Sequence, residues 1–299
     1  MSFTPTTTKP TDFDVYWAHV QDQLAVLPMA AEEEVIPLRS SDYHSTYSVR
    51  YTGLGSYRLF AYLSIPKGEG PFPTLINLPR YGSVLESIRL GDAVKKYSRY
   101  IIFSPAGRGQ RNAERPYEAL FPGIFLDNID DPQRYIFRGF VADLLRGVDY
   151  LLTRPEVDRS KLMATSPSDL PLFTVALRPE ITHVIANPMF FYAAMDRASQ
   201  TQAYPLEEIN DYLRLYPDRR TQVQQTLAYF DPIFFAPKVQ APTLLWGQPE
   251  LVGPLAEAIV GPVEMHVSEG SMYKDGLFEE NWMAQQFGFE TAIVPEIWI

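Results

Sequence analysis

The feature that most constrains this chain is the alternation of short apolar segments with longer segments of helical periodicity. Short apolar runs that suit buried strands recur along the sequence. These runs are Tyr47–Tyr51, Tyr57–Ile65, Thr74–Leu78, Tyr100–Phe103, Leu162–Ala164, His183–Ile185, Thr243–Trp246 and Val263–Val267. Strands that alternate with helices form parallel sheets covered by helices on both faces. The sequence therefore predicts an α/β fold with a mostly parallel central sheet.

The helical segments organise the rest of the chain around this sheet. Residues Phe13–Leu27 and Phe140–Leu152 carry apolar positions at helical spacing. A longer region, about residues 189–237, contains two further helical stretches and is interpreted as an insertion before the last strands. We predict one domain over residues 1–299, with an N-terminal helix and extension in residues 1–40.

Charge and composition exclude several classes of function. The chain has 26 Lys and Arg against 36 Asp and Glu, a net charge of −10, which argues against nucleic acid or an anionic membrane surface as a partner. It has no cysteine and four histidines, so it has few ways to bind a metal. No signal peptide or apolar run of about 20 residues is present. We expect a cytoplasmic protein without a metal or cofactor.

Ser168 is the candidate nucleophile that the strand order suggests. It follows the strand at Leu162–Ala164 and precedes an apolar helix, which is where α/β-hydrolases place the Ser of a nucleophile elbow. The elbow normally reads Gly-x-Ser-x-Gly, whereas Ser166 and Leu170 occupy the glycine positions here. Taken alone, this window is more typical of a helix cap.

The wider chain resembles the acetyl xylan esterase/cephalosporin C deacetylase family of α/β-hydrolases. The matching segments are Asp12-Phe13-Asp14-Val15-Tyr16-Trp17, Pro79-Arg80-Tyr81-Gly82, Arg108-Gly109-Gln110, the helix residues Tyr135, Arg138, Asp143 and Arg146, Arg154-Pro155-Glu156-Val157-Asp158, Tyr229-Phe230-Asp231, Phe235-Ala236-Pro237 and Ala241-Pro242. They cover nearly the whole chain. The resemblance implies an α/β-hydrolase fold and carboxylic ester hydrolysis by a Ser, Asp and His triad.

Carried over by position, the resemblance assigns four site residues. Ser168 takes the nucleophile position, and the backbone N–H groups of Tyr81 and Asp169 take the oxyanion positions. Glu250 is the carboxylate that matches the acid, although an ordinary solvated loop Glu is an equal interpretation. The resemblance also implies a homo-oligomer, a ring-like hexamer, and a small ester or acetylated sugar as ligand.

The histidine of the triad has no counterpart. Ser268 to Tyr273 follow the last strand where the family has Gly-His-Glu, and His266 lies inside that strand, several residues early. His19, His44 and His183 are interpreted as structural. Without a base, a Ser hydroxyl is a weak nucleophile, and in subtilisin loss of the His costs about a million-fold in turnover.

Further departures would weaken the remaining centre. Pro167 restricts the turn, Leu170 replaces a glycine, and the Asp169 carboxylate is expected to oppose a developing oxyanion. The first hypothesis is therefore a family member whose esterase centre has degenerated. Two alternatives stay open: an active deacetylase that uses Ser168 and Glu250 with an unidentified base, and a non-catalytic interaction or assembly subunit.

Overall fold

The computed structural model describes residues 3–80, 94–110, 112–115 and 123–295. The strands are β1 (Glu32–Val35), β2 (His44–Thr52), β3 (Arg58–Pro66), β4 (Phe72–Asn77), β5 (Ile101–Pro105), β6 (Val157–Ser166), β7 (His183–Ala186), β8 (Thr243–Trp246) and β9 (Val263–His266). The α-helices are α1 (Phe13–Ala25), α2 (Ile136–Leu151), α3 (Leu170–Leu177), α4 (Ala194–Ala198), α5 (Glu207–Leu215), α6 (Arg220–Ala228), α7 (Pro249–Ala258) and α8 (Met272–Gln286).

These strands form one sheet with the order β1-β2-β3-β5-β4-β6-β7-β8-β9. The pairs β1–β2, β2–β3 and β3–β5 are antiparallel, and every later pair is parallel. The predicted mostly parallel sheet is confirmed. Its parallel half brings the carboxyl ends of β4, β6, β7, β8 and β9 to a common edge.

Both faces of the sheet are covered, as the alternation of apolar residues along its strands requires. On β4, Ile76 belongs to the core on one face, beside helices α1, α2 and α3. Its neighbour Leu75 belongs to the core on the other face, where Trp282 and Met283 of α8 pack. The strand pattern thus predicts which residue faces which helical layer.

Helix α1 packs against the end of the predicted insertion. The indole Nε1 of Trp17 donates a hydrogen bond to the carbonyl of Tyr229 (3.0 Å). The Trp17 ring also contacts Phe230 and Phe235 edge-on, with ring centroids 5.4 Å apart in both pairs. Aromatic contacts of this kind fix the geometry of a core more strongly than aliphatic ones of equal area.

The two outer strands of the sheet differ from the sequence prediction and from each other. Strand β1 was not predicted, because Glu32–Val35 is exposed throughout and shows no alternation. Strand β9 ends at His266, one residue before the predicted end. Its Met265 is 43% exposed and the following Val267 is 37% exposed. Strand β1 is acidic, with three glutamates beside Val35, which is 50% exposed, whereas β9 exposes Met265.

Within the described part of the chain, no helix has both the length and the apolar character needed to cross a bilayer.

Candidate functional site

Ser168 lies at the carboxyl edge of the parallel strands, as predicted. Ser166 at the end of β6 is paired with Ala186 at the end of β7. Two residues further, the N–H of Asn187 donates to the carbonyl of Ser168 (3.2 Å). This edge is where α/β-sheet proteins place their sites, because the turns that leave the strands meet there.

The Ser168 hydroxyl is fully buried and is bound to groups that cannot act as a base. Its Oγ donates to Oγ of Ser166 (2.9 Å), which in turn donates to the carbonyl of Pro79 (3.2 Å). The same Ser168 Oγ accepts the N–H of Leu170 (3.3 Å), two residues on, in a local serine turn. The hydroxyl proton is thus held by another hydroxyl, and the oxygen satisfies the start of α3.

The backbone of this turn lacks the left-handed strain that a nucleophile elbow could store. Among the described non-glycine residues, positive φ angles occur only at Ala30, Ser56, Asn128 and Ala193. A nucleophile elbow is a sharp, strained turn that projects the Ser oxygen outward. None of these positive φ angles falls within the turn from Ser166 to Leu170.

The Asp169 carboxylate has a different environment from the one that the sequence suggested. It is fully buried, and its two oxygens accept the N–H groups of Phe190 (2.8 Å) and Tyr192 (3.1 Å). Burial raises the pKa of Asp169, whereas these N–H donors and the nearby Arg197 favour the charged form. The side chain therefore fixes the loop after β7, and its hydrogen bonds do not reach the Ser168 hydroxyl.

A second buried carboxylate, which the sequence analysis treated only as part of a family segment, holds the same loop. Asp231 accepts the N–H of Ala193 (3.0 Å) and that of Ile233 (3.2 Å). Ala193 has a φ of 47°, a left-handed conformation that costs free energy for a residue with a Cβ. Burial raises the pKa of Asp231 to about 7. Arg197 adds hydrogen bonds to the carbonyls of Pro188 (2.9 Å) and Tyr192 (3.2 Å).

Glu250 lies in the first turn of α7 and not in a loop. Its side chain is exposed, and within the described residues no hydrogen bond or ion pair holds its carboxylate. Pro249 at the first helical position and an acidic residue beside it are typical of a helix start. Glu250 is two strands from β6, about 10 Å at the usual strand spacing. In a catalytic triad, the imidazole of a His would have to bridge this distance between the Glu250 carboxylate and Ser168.

The segment after β9 contains a polar network where the family places its histidine. The Asp275 carboxylate accepts the hydroxyl of Ser268 (2.6 Å) and the N–H of Glu269 (2.9 Å). The Ser268 hydroxyl is the main cause of the lowered pKa of Asp275. Lys274 pairs with Glu269 (2.5 Å), and Ser271 caps α8. The His266 imidazole of β9 lies beside this network, with its Nε2 3.8 Å from Oδ1 of Asp275.

The four histidines, all among the described residues, have other environments than the Ser168 turn. His44 bonds to Ser41 and to the carbonyl of Arg39, and burial lowers its pKa. His183 begins β7, at the opposite edge of the sheet, and bonds to Thr182. His266 stacks on Phe278 with centroids 3.8 Å apart, and His19 is exposed on α1.

Tyr81, the other predicted oxyanion donor, lies outside the described residues. The preceding Pro79 is described, and its carbonyl accepts the Ser166 hydroxyl. Of the four predicted site residues, Ser168 and Asp169 are adjacent and Glu250 is at the same sheet edge. No group of three or more metal-ligating side chains occurs in the described ranges.

One family segment has a clear structural role beside this site. Arg108, in the loop after β5, forms a two-pronged ion pair with the fully buried Asp143 of α2 (Nε–Oδ2 2.9 Å, Nη2–Oδ1 2.8 Å). The N–H of Arg108 also donates to Asp143 (2.9 Å). Gln110 closes the same loop by accepting the N–H of Gly107 (2.9 Å). This segment therefore anchors α2 against the sheet.

Comparison with known proteins identifies a family for this chain. The family model described as acetyl xylan esterase matches residues 1–249. The chain belongs to the acetyl xylan esterase family. This assignment confirms the resemblance drawn from the sequence.

Among curated proteins, this family member is 22% identical over 263 residues to "Acetyl esterase Axe7A" of Xylanibacter ruminicola, a match that covers 84% of the chain. The chain spans 59% of that relative's length.

Solved structures of acetyl xylan esterases share the fold. The enzyme from Paenibacillus sp. R4 superposes with a TM-score of 0.82 at 22% identity, covering 95% of this chain and 97% of the other. Acetyl Xylan Esterase 1 from Thermoanaerobacterium sp. JW/SL YS485 superposes with a TM-score of 0.84 at 22% identity, covering 95% and 96%. The predicted α/β-hydrolase fold is confirmed.

Proposed function

We propose that this acetyl xylan esterase family member lacks ordinary serine esterase activity because its catalytic centre has become a packed turn. The observation that carries the proposal is the Ser168 hydroxyl, which is fully buried and donates to Ser166. A Ser oxygen attacks an ester only when a base removes its proton and when the substrate can reach it. Neither condition is met by the described surroundings of Ser168.

The carboxylate and base positions support the same proposal. Glu250 is exposed and two strands away, so it has no imidazole to orient. The segment after β9 is occupied by the network of Ser268, Glu269 and Asp275. A carboxylate acts in a triad by fixing the tautomer of the His between it and the Ser. Without that His, Glu250 has no route to Ser168.

A role in assembly is the function that we propose for the retained fold. Apolar side chains are exposed on β9 and at the start of α8. Met265 is 43% exposed, Met272 is 85% exposed and Tyr273 is 46% exposed. Exposed apolar groups of this kind are typical of protein–protein contacts. We infer a homo-oligomer of this chain, with the hexamer as the expected size and with a small ester or acetylated sugar as a bound, uncleaved ligand.

Hydrolysis of a small acetyl ester tests the loss of activity. We expect purified protein and the variant Ser168→Ala to release acetate at the same rate, no faster than a heat-unfolded sample of equal concentration. The matched control is Ser199→Ala, which removes an exposed hydroxyl elsewhere. Turnover that disappears in Ser168→Ala and persists in Ser199→Ala would instead establish an active deacetylase with an unusual base.

Labelling with a fluorophosphonate gives a second, independent measurement. The probe reacts with activated Ser oxygens, and we expect no adduct on Ser168 at neutral pH because its hydroxyl donates to Ser166 and no base among the described residues is in contact with it. Intact mass reports the stoichiometry, and peptide mapping reports the site. A stoichiometric adduct on Ser168 would contradict the proposal even if no acetyl ester were turned over.

Light scattering tests the assembly role separately. We expect a mass above that of the monomer at micromolar concentration, and a lower mass for Met265→Lys, which places a charge on the outer strand. Glu257→Lys, on the exposed side of α7, is the control that changes charge away from β9. A monomer would overturn the assembly role and leave the catalytic proposal standing.

A further inference from the structure

An arginine-lined pocket lies beside α2, away from the Ser168 turn. It has a volume of about 450 Å³ and opens between the turn at residues 54–57, the loop after β5 and the first turn of α2. Its lining contains four arginines: Arg108, Arg115, Arg134 and Arg138. For a chain with a net charge of −10, this is an unusual concentration of positive charge.

Two of these arginines are already engaged within the fold. Arg108 is neutralised by its ion pair with Asp143, and its guanidinium lies 5.2 Å from the centre of the Tyr57 ring. Arg138 donates to Gln23 (2.7 Å), and its buried Nε has no hydrogen-bond partner in the described chain. A buried donor without a partner costs free energy unless something else binds it.

The side chains of the other two arginines have no ion-pair partner among the described residues. Arg115 and Arg134 are exposed, and among the residues that the structure describes neither guanidinium forms an ion pair or a side-chain hydrogen bond. The backbone positions Arg115 firmly, because the Tyr57 hydroxyl donates to its carbonyl (2.7 Å) and accepts its N–H (3.0 Å). Both arginines line the same cavity, and they come from different segments of the chain.

The opposing charge in the pocket is small. Asp127 is the acidic residue of the described lining, and burial is the main influence on it and raises its pKa, although Arg134 acts in the other direction. The first turn of α2 carries no acidic side chain and no side-chain cap. Since the start of a helix has a partial positive charge, the helix adds to the field of the arginines.

We propose that this pocket binds a small polyanion whose phosphate or carboxylate groups pair with Arg115 and Arg134. The planar fork of a guanidinium matches either oxyanion through two parallel hydrogen bonds. The Tyr57 ring supplies an apolar wall for the organic part of the ligand. No residue of the turn after β6 and no part of α7 or β9 belongs to the described lining, so the site is separate from the degenerate esterase centre.

Titration calorimetry at low ionic strength tests the proposal, with inorganic pyrophosphate, citrate and acetate as probes. We expect saturable binding of pyrophosphate or citrate, and no saturation with acetate, which has a single charge. Tighter binding of pyrophosphate identifies phosphate as the preferred group, and tighter binding of citrate identifies carboxylate. Absence of saturable binding by both would overturn the proposal.

Paired variants distinguish binding in the pocket from the effect of the protein's overall charge on affinity. We expect Arg115→Gln/Arg134→Gln to weaken binding by about tenfold or more, since each charge-assisted contact is strong. Arg50→Gln/Arg220→Gln removes the same charge from exposed positions outside the pocket and should change the affinity by less than about twofold. Equal losses in the two double variants, or no loss in the first, would overturn the proposal.

Chemical protection supplies a measurement that needs no variant. Phenylglyoxal modifies accessible guanidinium groups, and mass spectrometry locates the products. We expect pyrophosphate or citrate to slow modification of Arg115 and Arg134 and to leave Arg50 and Arg220 unchanged. Uniform rates at all four arginines would contradict binding in this pocket.

Discussion

The turns that follow β5 and β6 start from the same edge of one sheet, and they differ in how much their side chains contribute to the stability of the fold. After β5, Arg108 joins Asp143 on α2 through a buried ion pair, as part of a segment that matches the family. After β6, Ser168 keeps the family's position but its hydroxyl is held by Ser166. The first turn retains the residues that the family resemblance assigns to it, and the second has lost its glycines.

This difference follows from what the side chains of a structural ion pair and of a catalytic centre each contribute to the free energy of folding. Removing one partner of a buried ion pair leaves an uncompensated charge and costs about 3–5 kcal/mol of stability. A catalytic His contributes to turnover and need contribute nothing to folding. The proposed loss of the catalytic centre is therefore compatible with an intact sheet, whereas loss of Asp143 would destabilise the fold.

The largest expected effect tests the turn after β5. Asp143→Asn removes the fully buried counter-charge of Arg108, whose side chain is 21% exposed, so the free energy of unfolding should fall by up to about 3–5 kcal/mol. Urea denaturation followed by circular dichroism measures it. Asp149→Asn is the control on the same helix, because its ion pair with Arg178 is partly exposed and should cost about 1 kcal/mol. Equal losses would remove the contrast between the turns.

A pH series tests the buried carboxylates beside the turn after β6. Burial raises the pKa of Asp231 to about 7 in the folded protein, from an ordinary 3.8. A group with a raised folded pKa contributes its full stability below its unfolded pKa, and that contribution is lost as the pH rises through the folded value. Wild type should therefore lose stability relative to Asp231→Asn between about pH 4 and pH 7, by at most about 4 kcal/mol.

Unfolding free energies of both proteins across that pH range check the prediction. Asp42→Asn, at an exposed position, should run parallel to wild type. A constant difference between wild type and Asp231→Asn would mean that the Asp231 carboxylate titrates at its ordinary pKa.

A smaller effect sharpens the account of the turn after β5. A Cβ on Gly139 would lie 2.3 Å from Cζ of Arg108, so Gly139→Ala should displace the guanidinium from Asp143. Overpacking of this kind costs about 1–3 kcal/mol. Gly253→Ala in α7 meets nothing within 4 Å and should be neutral or slightly stabilising. Thermal unfolding of the two variants should show opposite signs; a neutral Gly139→Ala would show that the guanidinium can move freely.

Ser168→Ala should have a modest effect on stability. It removes the hydrogen bonds to the Leu170 N–H and to Ser166, for a loss of about 0.5–1.5 kcal/mol. Denaturant midpoints measure it, with Ser199→Ala as an exposed control expected to change little. A stability gain would indicate that Ser168 is strained, as in a functional elbow, and would erase the contrast between the two turns.

The smallest expected effect concerns repair of the esterase. Replacing Ser271 or Met272 by His restores an imidazole near the family's position. We expect neither single variant to raise acetyl-ester turnover by as much as a hundred-fold, about 2.7 kcal/mol of barrier. The new His would still face a buried Ser168 oxygen in an unstrained turn. Turnover above that level from one His would show that the elbow is intact.

The combined variant Ser166→Gly, Pro167→Gly, Leu170→Gly and Met272→His is the comparison for these single variants. Asp169 stays unchanged in it, because its carboxylate holds the N–H groups of Phe190 and Tyr192. A rate increase only in the combined variant would locate the defect in the turn as well as in the missing base.

The sheet and its two helical layers could be predicted because they depend on local patterns. The alternation of Leu75 and Ile76 across the faces follows from the pleat of a strand. Strand β1 could not be predicted, since Glu32–Val35 is exposed and is a strand only through pairing with β2. Helix α7 had an overlooked signal in Pro249, which is typical of a first helical position.

The candidate site was predictable in position and less so in side-chain environment. The order of strand and helix predicted a turn at Ser168 on the sheet edge, and the structure has the turn there. The direction of the Asp169 carboxylate depends on the loop at Phe190–Tyr192, which is distant in sequence. The pairing of Arg108 with Asp143 is of the same kind, because both residues were recognised singly and only the fold brings them together.

The difference between the two outer strands of the sheet affects where the protein should aggregate. On strand β1, Glu32 pairs with Arg58 (3.2 Å) and Glu33 with Arg154 (2.7 Å), and charged side chains along an outer strand oppose the pairing of a second strand with it. Strand β9 has exposed Met265 beside Val267 and, in the described chain, pairs only with β8. Aggregation in concentrated or partly unfolded samples should therefore begin at β9. A single lysine substitution on β9 should reduce aggregation during storage more than any substitution on β1.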